Sequence, residues 1–415
     1  VPKLGRIPTR RRTAKGRLIA AVGVAGAVLA LVAGGAGAQT ARATTTATIV
    51  RSVASHPVPG PFGRVWQVET TPNLAAKINE LRSVSCLGRV FCMAIDTVGS
   101  APSGPGSIRS VAEQRGLSGW SLVPLAGGAV NGRILGSVSC PALDACVAVG
   151  AFASTRLRLV SPLVERWNGA RWTIQPTPPL PARSFGELTS VSCATTSSCL
   201  AVGVYSASPG SNTRALSEVW DGRSWRRQAP ARSVGVDLLS VSCSSSTACT
   251  AVGFGGNRAF GLANILRWNG AHWARQHGAG TLTLGVSCPS ARWCVAIGIA
   301  IGSLSSPKPG FRPSIETWNG QIWTQDKIAL PPGAAGDTST LTAVSCRAKR
   351  SCIAVGNYNL PHGRAGQIAE ILNATGWHLQ TFNNTSRRLD AISCPAVEPC
   401  IAVGGHSDKT LAERS

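Results

Sequence analysis

The sequence predicts an all-β protein: a seven-bladed β-propeller with four antiparallel strands per blade, its N-terminal strand closing the last blade (three plus one) and one hairpin disulfide in every blade. Three observations predict it. A unit of about 50 residues recurs seven times, the sequence signature of a propeller or solenoid. Each unit holds one C-x5-C pair in the same context, VSC-x5-C-x-AVG followed by a variable stretch and E-x-W-N-G-x-x-W. The two ends of the array are complementary, with a spare outer strand before the first pair and a missing one after the last.

The pairs are Cys86/Cys92, Cys140/Cys146, Cys193/Cys199, Cys243/Cys249, Cys288/Cys294, Cys346/Cys352 and Cys394/Cys400, with no cysteine left over. Their first members lie 54, 53, 50, 45, 58 and 48 residues apart. A chain of 415 residues could hold two or three ordinary domains. The repeat argues against that division, because no single unit of this size buries much core while a stack of them does. With 46 Gly, 26 Pro and 14% charged residues, the composition suits short strands joined by turns. Long amphipathic helices would need more Glu, Lys and Leu.

Residues 135–175 show one unit. In LGSVSC, Val138 and Cys140 share one face and Ser137 and Ser139 the other, which reads as strand A. PALDA connects it to strand B, CVAVG. A disulfide across this hairpin closes a short loop and contributes roughly 2 kcal/mol on the chain-entropy account. It also pins register, since a one-residue slip would turn the apolar face to water. LVERW is strand C, Asn168-Gly169 is a strong hairpin signal, and RWTIQ is strand D. The turn recurs as Asp221-Gly222, Asn269-Gly270 and Asn319-Gly320 and drifts in the first and sixth units. Strand C carries Trp167, Trp220, Trp268 and Trp318; strand D carries Trp66, Trp120, Trp172, Trp225, Trp273, Trp323 and Trp377. A residue at one internal place in every unit is expected to pack between sheets rather than to stack sugars. Only Trp293, inside a cysteine hairpin, departs from the pattern.

Trp66 stands before the first cysteine pair in GRVWQVETTP, a lone strand D. The last unit ends in a strand C, TLAERS, with no strand D after it. In a closed propeller the first strand completes the last blade and hides both sheet edges. An open solenoid would need polar capping repeats.

The N-terminus has a basic stretch, an apolar run from Leu18 to Ala38 and a small-residue end at Ala36-Gly37-Ala38. Residues 1–38 therefore read as a signal peptide, with a retained signal anchor as the rival because the run is long enough to span a bilayer. Thr9-Arg10-Arg11 hints at twin-arginine export, against which Thr13 and Ala14 are poor matches. Residues 39–60, Ala/Thr-rich and then Pro-rich, read as a flexible linker, and 61–415 as the propeller. Export places the body of the chain outside the cytoplasm, either secreted or held at the membrane by an uncleaved N-terminal segment. It also explains the cysteines, since paired thiols at fixed spacing in an exported chain read as disulfides. Zinc would need four ligands at short C-x2-4-C spacing or with His partners, and none of the six His recurs with the cysteines. No metal and no cofactor is expected.

At this point the chain resembles the secreted repeat proteins of high-GC Gram-positive bacteria (actinobacteria) that carry these VSC-x5-C-x-AVG and E-x-WNG-x-x-W units. The matching segments here are SVSCPALDACVAVG, SVSCSSSTACTAVG and AVSCRAKRSCIAVG, and the likeness spans residues 61–415. The resemblance implies a secreted propeller and little about activity. A looser likeness to sialidase-type and kelch-like propellers is architectural only, because WDGRSW lacks the S-x-D-x-G spacing of their turn motif.

The net charge of +23 is partly N-terminal: residues 1–43 hold eight basic residues and no acid, leaving 33 basic against 18 acidic residues, a net +15, on the rest. Such a body favours anionic partners. Loops B–C and D–A share one face and vary most in length, and variable loops on a rigid scaffold are where binding usually sits. Each B–C loop carries a basic residue shortly before strand C: Arg109, Arg158, Arg214, Arg258, Arg312, Arg364 and Lys409. Arginine suits carboxylate and phosphate, so this ring is the candidate ligand-binding set for an anionic cell-wall polymer, an acidic glycan or a surface protein. The bland alternative is that a protein of this charge places Arg in many exposed loops anyway. Export removes nucleic acid from the expected partners, and a monomer is expected.

No catalytic residue is expected. Glu113, Glu165, Glu218, Glu316, Glu370 and Glu413 recur at one place, with Leu266 in the fourth unit. Equivalent positions argue for structure, accepting hydrogen bonds from backbone or a neighbouring Arg, rather than for one asymmetric active site. Acids assigned to loops (Asp96, Glu187, Asp237, Asp337) and two tyrosines, Tyr205 and Tyr358, also assigned to loops, have no pattern that brings them together. Three functions stay open: a non-catalytic binding and scaffold module, a glycan-processing enzyme of sialidase or lyase type, and an envelope component with no discrete ligand. A carboxylate pair buried at the central channel would favour the second, because glycoside chemistry needs two acids across a cleft.

Overall fold

The computed structural model describes residues 66–415 except 100–107, 129, 155–158, 209–210, 229, 231–232, 256–261, 302–310, 332–338, 360–364, 383–386, 398 and 407–408. The segments expected to be a signal peptide (1–38) and a linker (39–60) lie outside the described residues. Strand β1 (Gln67–Glu69) comes first. Blade 1 is β2 (Ile78–Leu87), β3 (Phe91–Gly99), β4 (Ile108–Gly116) and β5 (Gly119–Val123). Blade 2 is β6 (Arg133–Ala142), β7 (Ala145–Ser154), β8 (Leu159–Trp167) and β9 (Trp172–Gln175), and blade 3 is β10 (Phe185–Thr195), β11 (Ser198–Ser206), β12 (Thr213–Trp220) and β13 (Trp225–Arg227). Blade 4 is β14 (Val236–Ser245), β15 (Ala248–Gly255), β16 (Leu262–Trp268) and β17 (Trp273–Gln276), and blade 5 is β18 (Leu282–Ser290), β19 (Trp293–Ile301), β20 (Phe311–Trp318) and β21 (Trp323–Asp326). Blade 6 is β22 (Thr340–Ala348), β23 (Ser351–Asn359), β24 (Ala365–Asn373) and β25 (Gly376–Thr381); β26 (Arg387–Ser393), β27 (Ile401–His406) and β28 (Lys409–Arg414) begin blade 7.

Each blade is a four-stranded antiparallel sheet in the order A-B-C-D, and blade 7 takes β1 as its fourth strand. The register Gln67↔Arg414, Val68↔Glu413 and Glu69↔Ala412 is the predicted closure. The A strands touch one another in sequence from blade to blade, and β26 touches β2, so they form the inner wall of a ring.

Every blade has its A–B disulfide, with the pairing read from the spacing. Cys86 is bonded to Cys92, Cys140 to Cys146, Cys193 to Cys199 and Cys243 to Cys249. Cys288 is bonded to Cys294, Cys346 to Cys352 and Cys394 to Cys400. The Cα–Cα separations are 3.9–4.2 Å. In blade 1 Cys86 and Cys92 face each other directly in the ladder, as do Cys193 and Cys199 in blade 3, so the bond ties opposed residues and holds the strand register. The second cysteines are the more deeply buried. Cys92, Cys146, Cys199, Cys249, Cys294, Cys352 and Cys400 are all 0–3% exposed and pack in the cores between blades.

Those cores carry the packing of the ring. In one cluster Met93, Ile95 and Ala112 of blade 1 pack on Leu135, Val138, Leu163 and Trp172 of blade 2. The closing interface repeats the pattern, with Leu81, Val84 and Trp120 against Ile401, Val403 and Ala412. Each blade buries both faces of its sheet against its neighbours this way, and an isolated unit would leave those faces exposed.

The repeated motif has a physical cause at each letter. The serine before each first cysteine accepts a backbone N–H from the next blade: Ser85 from Cys140, Ser139 from Cys193, Ser192 from Cys243, Ser242 from Cys288, Ser287 from Cys346, Ser345 from Cys394, and Ser393 from Cys86, all at 2.9–3.0 Å. An inner strand would otherwise leave these amide donors unpaired on its free edge. The glycine of AVG sits opposite a bulge in strand A. A Cβ at Gly150 would lie 2.0 Å from the carbonyl oxygen of Ile134, and one at Gly203 2.0 Å from that of Glu187. In the C–D turn Asn168 Oδ1 accepts the N–H groups of Ala170 and Arg171, and Asp221 Oδ1 those of Arg223 and Ser224. Only a side-chain oxygen is needed, so Asn and Asp interchange. Gly169 and Gly222 supply φ of 91° and 92°.

The tryptophans pack, as expected. Trp167/Trp172, Trp220/Trp225, Trp268/Trp273 and Trp318/Trp323 meet across strands C and D with ring centroids 5.5–5.9 Å apart. Several strand D indoles also clasp the preceding blade, Trp323 Nε1 donating to Gln276, Trp377 to Asp326 and Trp66 to Gln380. Trp172 Nε1 is buried with no partner among the described residues. Val123 stands three residues after the strand D tryptophan of blade 1, where Gln276 and Asp326 stand in blades 4 and 5. Val123→Gln is therefore expected to supply the missing acceptor and stabilise the protein by about 1 kcal/mol, measured by urea unfolding; an unchanged or lower midpoint would refute this account of the orphan indole.

Candidate functional site

The face where strands B end and strands C begin carries the candidate cations. Arg109, Arg214, Arg312 and Lys409 lie within strand C rather than in loops, because β4, β12, β20 and β28 start earlier than the apolar pattern suggests. They occupy one register position, four residues before Glu113, Glu218, Glu316 and Glu413, in blades 1, 3, 5 and 7. Arg214, Arg312 and Lys409 are exposed and Arg109 is half-buried. Arg158, Arg258 and Arg364 lie outside the described residues.

The repeated glutamates point into the interior, 0–1% exposed. Glu165 accepts the N–H of Ala126 at 2.9 Å, and Glu316 accepts the N–H of Ala279 at 3.1 Å and the hydroxyl of Thr281 at 2.5 Å. These two tie the incoming D–A connection to the blade, the structural role expected. The carboxylates of Glu113, Glu218 and Glu370 have no hydrogen-bond partner among the described residues. Burial pushes them up, to about 9 for Glu113, where repulsion from Asp96 adds, about 7 for Glu218, where Arg227 offsets part, and about 8 for Glu370.

Three of the four acids assigned to loops, Asp96, Glu187 and Asp237, are in strands, and two of them come together. Glu187 in β10 and Asp237 in β14 lie on the inner strands of adjacent blades. Burial, then repulsion from Asp237, holds Glu187 up at about 7. Burial also raises Asp237, partly offset by a hydrogen bond from Thr213. A second cluster marks the joint of blades 7 and 1. Arg82 pairs with Glu80 at 2.5 Å, Arg388 lies 3.9 Å from Asp390, and burial raises Asp390 against the pull of Arg82 and Arg388. Asp96 stands where six blades have the AVG glycine; its Oδ1 accepts the N–H of Glu80 at 2.8 Å, and burial lifts its pKa to about 7. That departure, AID instead of AVG, was a legible signal. Asp337 lies outside the described residues. Tyr205 and Tyr358 are in β11 and β23, not in loops, and no cluster of His, Cys, Asp and Glu among the described residues could hold a metal.

No protein-family model matches the chain, and no curated protein matches it. Solved structures do. An ulvan lyase of a polysaccharide lyase family, bound to -[GlcA(1-4)Rha3S]-, aligns with a TM-score of 0.52 and 9% identity over 82% of this chain and 95% of that one. YCF48 bound to the D1 peptide aligns with a TM-score of 0.51 and 12% identity over 88% and 99%. A fucose-specific lectin from Aleuria aurantia aligns at 0.43 and 11% identity over 80% and 99%. At these identities the likeness is one of fold alone.

Proposed function

We propose that this is an exported, non-catalytic propeller that binds an anionic surface polymer or acidic glycan on the face where strands C begin. The export signal, the flexible linker and the resemblance to actinobacterial repeat proteins belong to the same proposal. The observation that carries it is the placement of Arg109, Arg214, Arg312 and Lys409 at one register position in four of the seven blades (1, 3, 5 and 7, of which 7 and 1 are neighbours), with no ion pair among the described residues. A polyanion with spaced charges matches cations spaced around a ring, and the net +15 of the body adds long-range attraction. Seven disulfides with no free cysteine fit an oxidising compartment outside the cytoplasm. Two propellers of like fold, one with a bound saccharide and one with a bound peptide, support a ligand of either class for such a scaffold.

Replacing all four cations by Ser is expected to cut retention on purified cell-wall polymer at least tenfold at low salt, the wild-type binding itself weakening as salt screens it. Undiminished retention by the quadruple variant removes the proposal.

The Glu187/Asp237 pair favours a second reading, a glycan-processing enzyme in which Glu187 supplies a proton. A carboxyl held near neutrality is poised for acid–base work. In the same incubations this reading requires new reducing or unsaturated ends from wild type and none from Glu187→Gln; products equal in both, or absent in both, exclude it.

A further inference from the structure

Blades 5 and 6 enclose a groove of about 480 Å³ on the opposite face, where the cysteine hairpins and C–D turns lie. We infer that this groove binds a sugar unit bearing a carboxylate or sulfate group. Two tryptophans line it, Trp377 half-buried and Trp293 only 6% exposed at its floor. Trp293 is the one tryptophan outside the repeat pattern, and Trp377 is oriented by the 2.8 Å bond from its Nε1 to Asp326, which also accepts the hydroxyl of Thr317 at 2.6 Å. Three cations, Lys327, Lys349 and Arg350, line the same groove, all exposed and without an ion-pair partner among the described residues. The exposed part of Trp377 beside three cations suits an acidic saccharide: although the rest of the ring packs in the core, its open edge can cover C–H groups while the charges meet the anion.

The protein contains its own control. The equivalent groove between blades 1 and 2, about 390 Å³, has Phe91 in place of Trp293 and Leu143 and Asp144 in place of Lys349 and Arg350. Its lining includes no cation among the described residues. Among the seven hairpins only that of blade 6, RAKRS, carries two basic residues at its tip, and only blade 5 has a lysine four residues after its strand D tryptophan. Both features fall at the one interface between blades 5 and 6.

The site lies on the face opposite Arg214 and Arg312 and does not rest on the function proposed above. The test is titration calorimetry of the protein at physiological salt with hexagalacturonate (carboxylate) and a heparin hexasaccharide (sulfate), maltohexaose and tripolyphosphate serving as controls. Lys327→Ser/Lys349→Ser/Arg350→Ser is expected to weaken binding of at least one acidic hexasaccharide tenfold or more. The charge-matched variant Arg171→Ser/Arg223→Ser/Arg226→Ser, on the same face away from the groove, and the quadruple variant of the other face are expected to change it less than twofold. All the substituted groove residues are exposed, so folding is preserved and a common unfolding midpoint verifies it. Equal loss in the charge-matched variant, no loss in the groove variant, or no binding of either acidic saccharide overturns the inference. Tripolyphosphate binding as tightly at the same residues overturns the sugar assignment.

Discussion

Shifting the buffer from pH 8 to pH 5 will raise the unfolding midpoint of this protein, and Glu370→Leu will remove part of that rise by stabilising the fold at pH 8. The cause is the set of interior glutamates. Burial lifts Glu370 to about 8 and Glu113 to about 9, and it lifts Glu413 to about 7 against the pull of Arg387. In the unfolded chain a glutamate titrates near about 4.3. A carboxyl whose folded pKa is the higher of the two holds its proton more tightly in the fold. Its contribution is complete below the unfolded pKa and is lost as pH rises through the folded one. For Glu370 the window runs from roughly 4.3 to about 8. Relaxation of the surrounding strands reduces the full electrostatic difference, leaving a gain for Glu370→Leu of about 2 kcal/mol at pH 8. Blade 4 already carries this exchange: Leu266 pairs with Ala251 as Glu370 pairs with Ala354, and it is 7% exposed. Calorimetric unfolding of both proteins at the two pH values checks it. A wild-type midpoint that does not change, or a variant less stable at pH 8, would sink the account.

Glu69→Ala is expected to cost about 3 kcal/mol and to loosen blade 7 selectively. Strand β1 has three residues and no disulfide, so its side chains must hold it. Glu69 Oε2 accepts from Arg115 Nε at 2.7 Å and Trp120 Nε1 at 2.9 Å, and Oε1 accepts from Arg115 Nη2 at 2.8 Å. The Glu69 and Arg115 side chains are 16% and 12% exposed, so removing one leaves the other charge largely desolvated. Burial alone would raise Glu69, but the bonds from Arg115 and Trp120 and the charges of Arg115 and Arg414 outweigh it and hold the pKa low. Its contribution is therefore present above the unfolded pKa and lost as pH falls through the folded value. Acid thus opposes the gain from the interior glutamates below about pH 4. Hydrogen exchange at β28 should accelerate in the variant while β24, the same strand of blade 6, does not change. Uniform acceleration through both strands would show that Glu69 is not a local clasp.

The blade count, the closure and the disulfides were legible because they repeat or because an end was visibly missing. The tryptophan pairs and Asn-Gly turns were legible because their partners lie within a few residues. The serines of VSC gave no such clue: Ser85 meets Cys140 only across an interface. The glutamates could be aligned, but whether a carboxylate finds a donor depends on the preceding connection, which supplies Ala126 for Glu165 and no described partner for Glu370. Glu187 and Asp237 were hidden by the strand A bulge. It falls between Leu188 and Ser190 and between Leu238 and Ser240, breaking the alternation just after each acid. Arg109, Arg214, Arg312 and Lys409 were identified, yet assigned to loops, because the first residues of strand C lack apolar alternation.

Each serine hydroxyl takes an amide from the blade that follows it, so the relay runs one way around the body and has no terminus. A truncated array would present bare amides at its leading edge and idle hydroxyls at its trailing edge. Those two edges complement each other, so unfinished chains would join head to tail and grow as filaments instead of closing.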